Sequence, residues 1–149
     1  MSSEKMPTIS AVDASAPAQL TLLWSSGQRV VLDLSVWLDD KALAPLCRAD
    51  VFEAVQVGDW GHSLTWPGEI EIGADSLWLE SLSVLRREDA RRFLEWRLKH
   101  GLSLSQTADA LGLSRRMVAY YSSGGHAVPR HVMLACLGWE TDAARELVS

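Results

Sequence analysis

The chain has 149 residues, of which 48% are hydrophobic, and its formal net charge is -5. This length suits one ordinary domain or two small ones, and the composition is that of a folded chain, which excludes a wholly disordered one. No stretch approaches the roughly 20 apolar residues that a membrane-spanning helix needs, and no signal peptide opens the sequence. A cytoplasmic protein without membrane association is therefore expected.

Charge divides the chain near residue 85. Residues 1–85 contain 4 Lys and Arg against 12 Asp and Glu, which gives -8, whereas residues 86–149 contain 10 against 7, which gives +3. An acidic surface repels phosphates and a basic one attracts them, so the two parts should have different partners.

The first part of the chain is predicted to be mostly β. Residues 1–17 are rich in Ser, Ala and Pro without an apolar period, which is typical of a flexible tail or a loosely docked strand. Residues 20–24 and 30–34 alternate apolar and polar positions around Ser25–Gln28, which predicts a β-hairpin. A loop with one short helical turn is expected over 34–46, and further strands are expected at 51–57, 62–66 and 69–72. Asp75 is predicted to cap a short helix that precedes a domain boundary near 84.

The second part has helical periodicity. Ala90, Phe93, Leu94, Arg97 and Leu98 recur at helical spacing, and Gly101 is placed to end that helix. Domains are therefore predicted as a tail at 1–17, an acidic α+β domain at 18–84 and a helical domain at 85–149.

Two short helices follow that are predicted to meet at a tight corner. Ser103 and Gln106 have the spacing of a capping box, and the helix they begin should end at Gly112. Ser114 is placed to cap the next helix, and Ala108 is small enough to let the two helices approach. Inward positions are then Leu111, Leu113, Val118 and Tyr121, and outward positions are Arg115, Arg116, Ala119 and Tyr120.

The segment LSQTADALGLSRRMVAYYSSG, followed by Pro129, resembles the Cro/C1-type (XRE-like) helix-turn-helix of the λ-repressor-like fold. The resemblance implies an all-α bundle of five helices, with a recognition helix at 115–121, a fourth helix at 129–137 and a fifth at 141–148. The residues expected to contact DNA are Ser105, Ser114, Arg115, Arg116, Ala119, Tyr120, Arg130 and His131. Two positions depart from the family pattern: Leu104 replaces a common glutamine, and Ser122 replaces an acidic residue that pairs with the first helix.

Two segments of the first part, LTLLWSSGQRVVLDLS and HSLTWPGEIEIGADSLWLE, are similar to the small domain known as DUF2442. That resemblance implies a regulatory or partner-binding role, and it identifies no catalytic residue.

Several residues have a structural interpretation beside the functional one. The helix-turn-helix corner also occurs in plain structural bundles. The basic residues between 86 and 99 suit either phosphate contacts or an ion-paired surface. Cys47 and Cys136 are expected to be two buried thiols, and the tryptophans are expected to be core and interface anchors. The spacing of His126, His131 and Cys136 does not match a zinc site, and no set of residues indicates catalysis.

The sequence therefore predicts an α+β protein that binds double-stranded DNA as a homodimer and regulates transcription, without a cofactor. The alternative is a protein-interaction module, such as an antitoxin-type protein whose acidic domain binds a basic protein partner.

Overall fold

The computed structural model describes residues 6–148. The chain is α+β, with two antiparallel sheets and a set of helices. It divides into two compact units: Pro7–Leu85, and a second unit that begins at Arg86 and includes Met6.

The first sheet contains the predicted hairpin. Its strands are β1 (Ile9–Ser15), β2 (Gln19–Trp24) and β3 (Arg29–Asp33), in that order and all antiparallel. Leu20 pairs with Leu32, and Leu22 pairs with Val30. All four side chains are buried on one face, because successive residues of a strand point to opposite sides. The hairpin prediction is thus confirmed.

Of the two predictions for residues 1–17, the strand rather than the flexible tail is correct for Ile9–Ser15, which forms β1 and pairs with β2. Ile9 is buried, and main-chain pairing stabilises the rest of the strand although its side chains are small and largely exposed. Residues 1–5 of the predicted tail lie outside the described residues.

The second sheet is smaller and includes two of the predicted strands. Its strands are β4 (Gln56–Val57), β5 (Ser63–Trp66) and β6 (Ile70–Gly73). The strand predicted at 51–57 is wrong at its start, where α1 (Ala49–Phe52) forms instead. Phe52 is fully buried, and its carbonyl accepts a 3.0 Å hydrogen bond from Trp66 Nε1. Tertiary packing therefore overrides the strand preference of the apolar residues here. Two 3-10 segments, Trp37–Asp39 and Lys41–Cys47, occupy the predicted loop.

Helix α2 (Ala74–Val84) packs on the first sheet. The rings of Trp24 and Trp78 meet edge to face at 4.9 Å, and Trp24 Nε1 donates a 3.1 Å hydrogen bond to Ser81 Oγ. The prediction that Asp75 caps this helix is wrong. Gly73 is the N-cap, and Asp75 lies in the first turn, where its negative charge interacts favourably with the positive end of the helix dipole.

The second unit is helical. It consists of α3 (Glu88–Lys99), α4 (Leu104–Leu111), α5 (Arg115–Ser123) and α6 (Arg130–Val148). Residues from all four helices and from the loop before α6 form one core of buried side chains: Phe93, Trp96, Ala108, Val118, Tyr121, Val128, Val132 and Cys136.

The five-helix arrangement is wrong, because the fourth and fifth helices are one continuous α6. The resemblance implied a break between residues 137 and 141, but Gly138 lies inside the helix and no proline interrupts the segment. The Thr141 hydroxyl donates to the Leu137 carbonyl one turn earlier at 3.2 Å, across the expected break. A glycine inside a helix costs about 1 kcal/mol, which the packing of Val132 and Cys136 in the core offsets.

The two thiols are both free but differ in environment. Cys136 is buried, and this burial, followed by the nearby charge of Glu140, raises the pKa of its thiol to about 11. Cys47 is exposed, so the prediction of two buried thiols is wrong for it. The expectation for the tryptophans holds for Trp24, Trp66, Trp78 and Trp96, which are buried, whereas Trp60 is 88% exposed.

Two glycine substitutions test this backbone. Gly138→Ala should raise the free energy of unfolding by about 0.5–1 kcal/mol, because alanine is the better residue inside a continuous helix. Gly112→Ala should lower it by about 1 kcal/mol, because φ at Gly112 is +68°. A Cβ at either position meets no atom within 4 Å, so steric clashes do not contribute. Urea unfolding followed by circular dichroism measures both, and a destabilising Gly138→Ala would contradict the continuous helix.

Candidate nucleic-acid interface

The corner between α4 and α5 has the local geometry that the sequence predicted. The N–H of Gln106 donates to Ser103 Oγ at 3.1 Å, and the Ser103 N–H donates to Gln106 Oε1 at 2.9 Å, which completes the capping box. At the other end of α4, Gly112 has φ +68° and ψ 35°. The Ala108 carbonyl accepts the N–H of Gly112 and also that of Leu113, the latter at 2.9 Å. Helix α4 therefore ends abruptly, and the chain can start a new helix at once.

Helix α5 begins with a side-chain cap and two arginines. Ser114 Oγ accepts the N–H of Met117 at 3.1 Å, as expected for an N-cap. Arg115 and Arg116 follow as the first two residues of the helix, and both are exposed. The positive end of the helix dipole and two guanidinium groups thus lie together at one exposed helix end.

Arg116 is held in place by an aromatic neighbour. Its Nε donates a 3.0 Å hydrogen bond to the Tyr120 hydroxyl, and its guanidinium carbon lies 5.7 Å from the centre of the Tyr120 ring. The Tyr120 ring in turn contacts the His126 ring edge to face, with centres 4.6 Å apart. The Nε bond uses one of the five N–H donors of the guanidinium, so donors on both Nη atoms can point toward a ligand.

Ala119 does not belong to the exposed face. The sequence placed it outward with Arg115, but it is only 2% exposed. Val118, Tyr121 and Ser122 are also buried, so the inward side of α5 is wider than a single apolar row. Position 119 lies beside 118 and 122 on the helix surface, and a small methyl side chain fits such a closely packed position. Ala119 is therefore removed from the set of DNA-contacting candidates.

Ser122 takes part in a hydrogen bond at the position where the resemblance to Cro/C1-type domains implied an acidic residue paired with the first helix. Arg97 is buried, and its Nη1 donates to Ser122 Oγ at 2.6 Å. Ser122 Oγ also donates to the Val118 carbonyl at 2.8 Å, and Arg97 Nη2 donates to the Leu102 carbonyl at 3.3 Å. The connection between α3 and α5 is therefore kept, although the acidic residue is absent.

The remaining predicted residues lie in two places. Ser105 is exposed in the first turn of α4, and it lines the same open cavity of about 370 Å³ as Arg115. Arg130 and His131 are exposed at the first two positions of α6. The structure thus brings Ser105 and Arg115 together, while Arg130 and His131 belong to a different helix start.

Sequence reasoning missed the role of Arg87 and Asp89, which hold the loop that follows α5. Arg87 donates to the carbonyls of Gly124 and His126, the latter at 3.0 Å. Asp89 pairs with Arg87 at 3.3 Å and accepts the N–H of Val128 at 2.8 Å. Their sequence signal is only an Arg and an Asp two residues apart at a helix start, which does not reveal a partner 37 to 39 residues away.

Other charged residues of α3 form ion pairs. Arg91 pairs with Glu95 at 2.8 Å, one turn along the helix, and Lys99 pairs with Glu140 of α6 at 3.3 Å. His100 Nε2 lies 2.7 Å from the same carboxylate, and this contact, with Lys99, holds the pKa of Glu140 below its usual value. For Arg91 and Lys99, the structure therefore favours the ion-paired interpretation over phosphate contacts.

Within residues 6–148, no group of three or more His, Cys, Asp and Glu side chains is arranged to hold a metal ion. Across the same range, no helix has the length and apolar character needed to cross a bilayer.

The fold and the α4–α5 corner define an α+β chain with a helix-turn-helix geometry in its second unit. Residues 9–83 match the model of the DUF2442 family, which is described as a protein of unknown function, and the chain belongs to that family. It is also similar to a crystal structure from Nitrosomonas europaea ATCC 19718, described as a candidate DNA-binding protein. That match has 34% sequence identity and a TM-score of 0.66, and it covers 91% of this chain and 88% of the other. None of the curated proteins matches the chain.

The Asp89 contacts make the stability of the helical unit depend on pH. Burial raises the pKa of Asp89, but the Val128 N–H and Arg87 outweigh burial and leave the pKa below its ordinary value of 3.8. A lowered pKa means that the stabilisation is complete above pH 3.8 and is lost as the pH falls through the lowered pKa.

Asp89→Asn should therefore lower the free energy of unfolding by about 1–2 kcal/mol at pH 7 and flatten its decline in acid. Urea unfolding measured from pH 7 downward gives both quantities. Asp109→Asn, which changes an exposed carboxylate on α4, is the matched control and should retain the wild-type pH dependence. Equal behaviour of the two variants would contradict the structural role of Asp89.

Proposed function

We propose that the chain is a sequence-specific DNA-binding protein that regulates transcription, and that α5 enters the major groove. The observation that carries this proposal is the pair Arg115 and Arg116, exposed at the capped start of α5 in a helix-turn-helix corner. The resemblance of this segment to Cro/C1-type domains supports the same interpretation. So does the 34% identity to a Nitrosomonas europaea protein described as a candidate DNA-binding protein.

The chemistry of the exposed groups suits DNA. The major groove of B-DNA is about 12 Å wide and admits an α-helix, and arginine can donate two parallel hydrogen bonds to O6 and N7 of guanine. Arg115 and Arg116 have this role in the proposal, and Tyr120 orients Arg116. Ser105, Ser114, Arg130 and His131 are assigned to the phosphates, which fix the position of the protein but carry no sequence information.

The charge distribution of the chain should lower nonspecific affinity for DNA more than specific affinity. Residues 86–149 contain 10 basic against 7 acidic residues, a modest +3, while residues 1–85 carry 4 against 12, or -8. Nonspecific affinity for DNA comes mainly from phosphate neutralisation, so the acidic part weakens it. Base contacts from α5 then contribute a larger share of the total affinity. The proposed activity is binding, and it needs neither a cofactor nor a catalytic group.

The direct test is selection of bound sequences from a random duplex library at a fixed, physiological salt concentration. We expect one enriched motif. Arg115→Ala and Arg116→Ala should each raise its Kd about tenfold or more, since a bidentate arginine–guanine contact contributes about 1–3 kcal/mol. Arg145→Ala removes the same charge from an exposed position late in α6 and is the matched control, with little change expected. Absence of any enriched motif, or equal losses in all three variants, would refute the proposal.

The proposal also includes a homodimer, because one recognition helix contacts too few base pairs for useful specificity. The enriched motif should contain two half-sites whose centres are about 34 Å apart, or a multiple of that spacing. Sedimentation of the protein with the selected duplex should give two chains per duplex. One chain on a single half-site at micromolar protein would contradict the dimer while leaving α5 as the recognition helix.

A further inference from the structure

Trp60 has an unusual backbone conformation and an exposed side chain. It lies in the turn Asp59–Gly61 between β4 and β5, with φ 60° and ψ 14°, in the left-handed region. A bulky residue in this region is strained, and the surrounding structure must compensate. The indole is 88% exposed, so its own packing provides almost none of that compensation.

The turn itself is held by the backbone around it. The Gly58 N–H donates to the Ser63 carbonyl at 2.8 Å, and the Gly61 N–H donates to the Gly58 carbonyl at 3.1 Å. A Cβ at Gly61 would lie 2.5 Å from the Ile9 carbonyl oxygen, so β1 packs directly against this backbone. The exposed Trp60 side chain therefore belongs to a turn whose backbone is fixed by these contacts.

Beside the indole lies an open cavity of about 520 Å³, formed entirely by the first unit. Two carboxylate residues, Asp59 and Glu71, line it together with Trp60. Glu71 Oε2 accepts a 2.8 Å hydrogen bond from the buried Ser63 hydroxyl, which orients that carboxylate. An aromatic face and two acidic side chains thus share one cavity.

The lining of this cavity contains two carboxylates, one histidine, His62, and no Lys or Arg, and the surrounding sequence is also acidic. Residues 49–85 contain seven Asp and Glu and no Lys or Arg. A surface of this kind repels nucleic acid and attracts cationic groups. Aromatic faces bind arginine in particular, because the planar guanidinium stacks on the ring while its N–H groups remain available to carboxylates.

We propose that Trp60, Asp59 and Glu71, which we call the Trp60 site, bind an arginine side chain in a basic segment of a partner protein. The guanidinium stacks on the indole and donates hydrogen bonds to the two carboxylates. A protein segment fits better than a small cation, because the cavity is open and a segment can extend along the acidic surface outside it. All three residues belong to the first unit, whereas α5 belongs to the second, and the proposal does not depend on the function proposed for α5.

The first experiment is calorimetric titration of the 149-residue chain, at fixed salt, with a synthetic peptide of alternating arginine and glycine. The same peptide with citrulline in place of arginine keeps the shape and removes the charge, and it should bind at least about tenfold more weakly. Spermidine is titrated as the free cation. No binding of the arginine peptide, equal binding of the citrulline peptide, or tighter binding of spermidine would overturn the proposal.

Variants then localise the peptide. Trp60→Asn should raise the peptide Kd about tenfold while leaving the urea midpoint at least as high as in the wild type, because asparagine tolerates the left-handed region. Glu71→Gln can still accept the Ser63 hydrogen bond, and it should weaken binding more than Glu69→Gln. Glu69 is an exposed acidic residue of the same segment that does not line the cavity, so it is the matched control. An unchanged affinity in Trp60→Asn, or equal effects at 69 and 71, would show unspecific attraction and overturn the site.

Discussion

The left-handed turn at Gly112 is the constraint on which the exposed face of α5 depends. Its backbone lets one carbonyl, that of Ala108, accept the N–H groups of Gly112 and Leu113, so that two residues separate the end of α4 from the cap of α5. A connection this short leaves little freedom in the direction of α5. Because the helix start is fixed, Val118 and Tyr121 enter the core while Arg115 and Arg116 remain exposed.

The other end of α5 is fixed from a distant part of the chain. Arg87 and Asp89 bind the backbone of the loop that follows the helix, and that loop brings His126 against Tyr120. Tyr120 in turn positions the Arg116 guanidinium. A helix held at both ends, with an arginine already oriented, loses less conformational entropy when it binds a ligand. The contacts that stabilise the unit therefore also prepare the exposed surface.

Local rules were sufficient where a feature depends on residues close in sequence. The capping box at Ser103, the turn at Gly112 and the hairpin of β2 and β3 each follow from side-chain chemistry within a few positions. The errors arose where distant contacts decide. Ala119 is buried because the inward side of α5 is wide, and β1 forms because β2 offers it main-chain partners. Arg87 binds carbonyls almost 40 residues away, which no local pattern encodes.

The opposite charges of the two parts give the chain two kinds of surface that do not compete for the same ligand. Residues 1–85 have a net charge of -8, so they repel phosphates and attract cationic groups. Residues 86–149 have a net charge of +3, which favours phosphates instead. With both proposals combined, a partner bound at the Trp60 site would be tethered near DNA by the chain itself. Its effective concentration at that DNA would rise without any conformational change, because covalent connection alone brings two bound ligands together. Under the two proposals together, the chain would therefore act by bringing its protein partner to DNA.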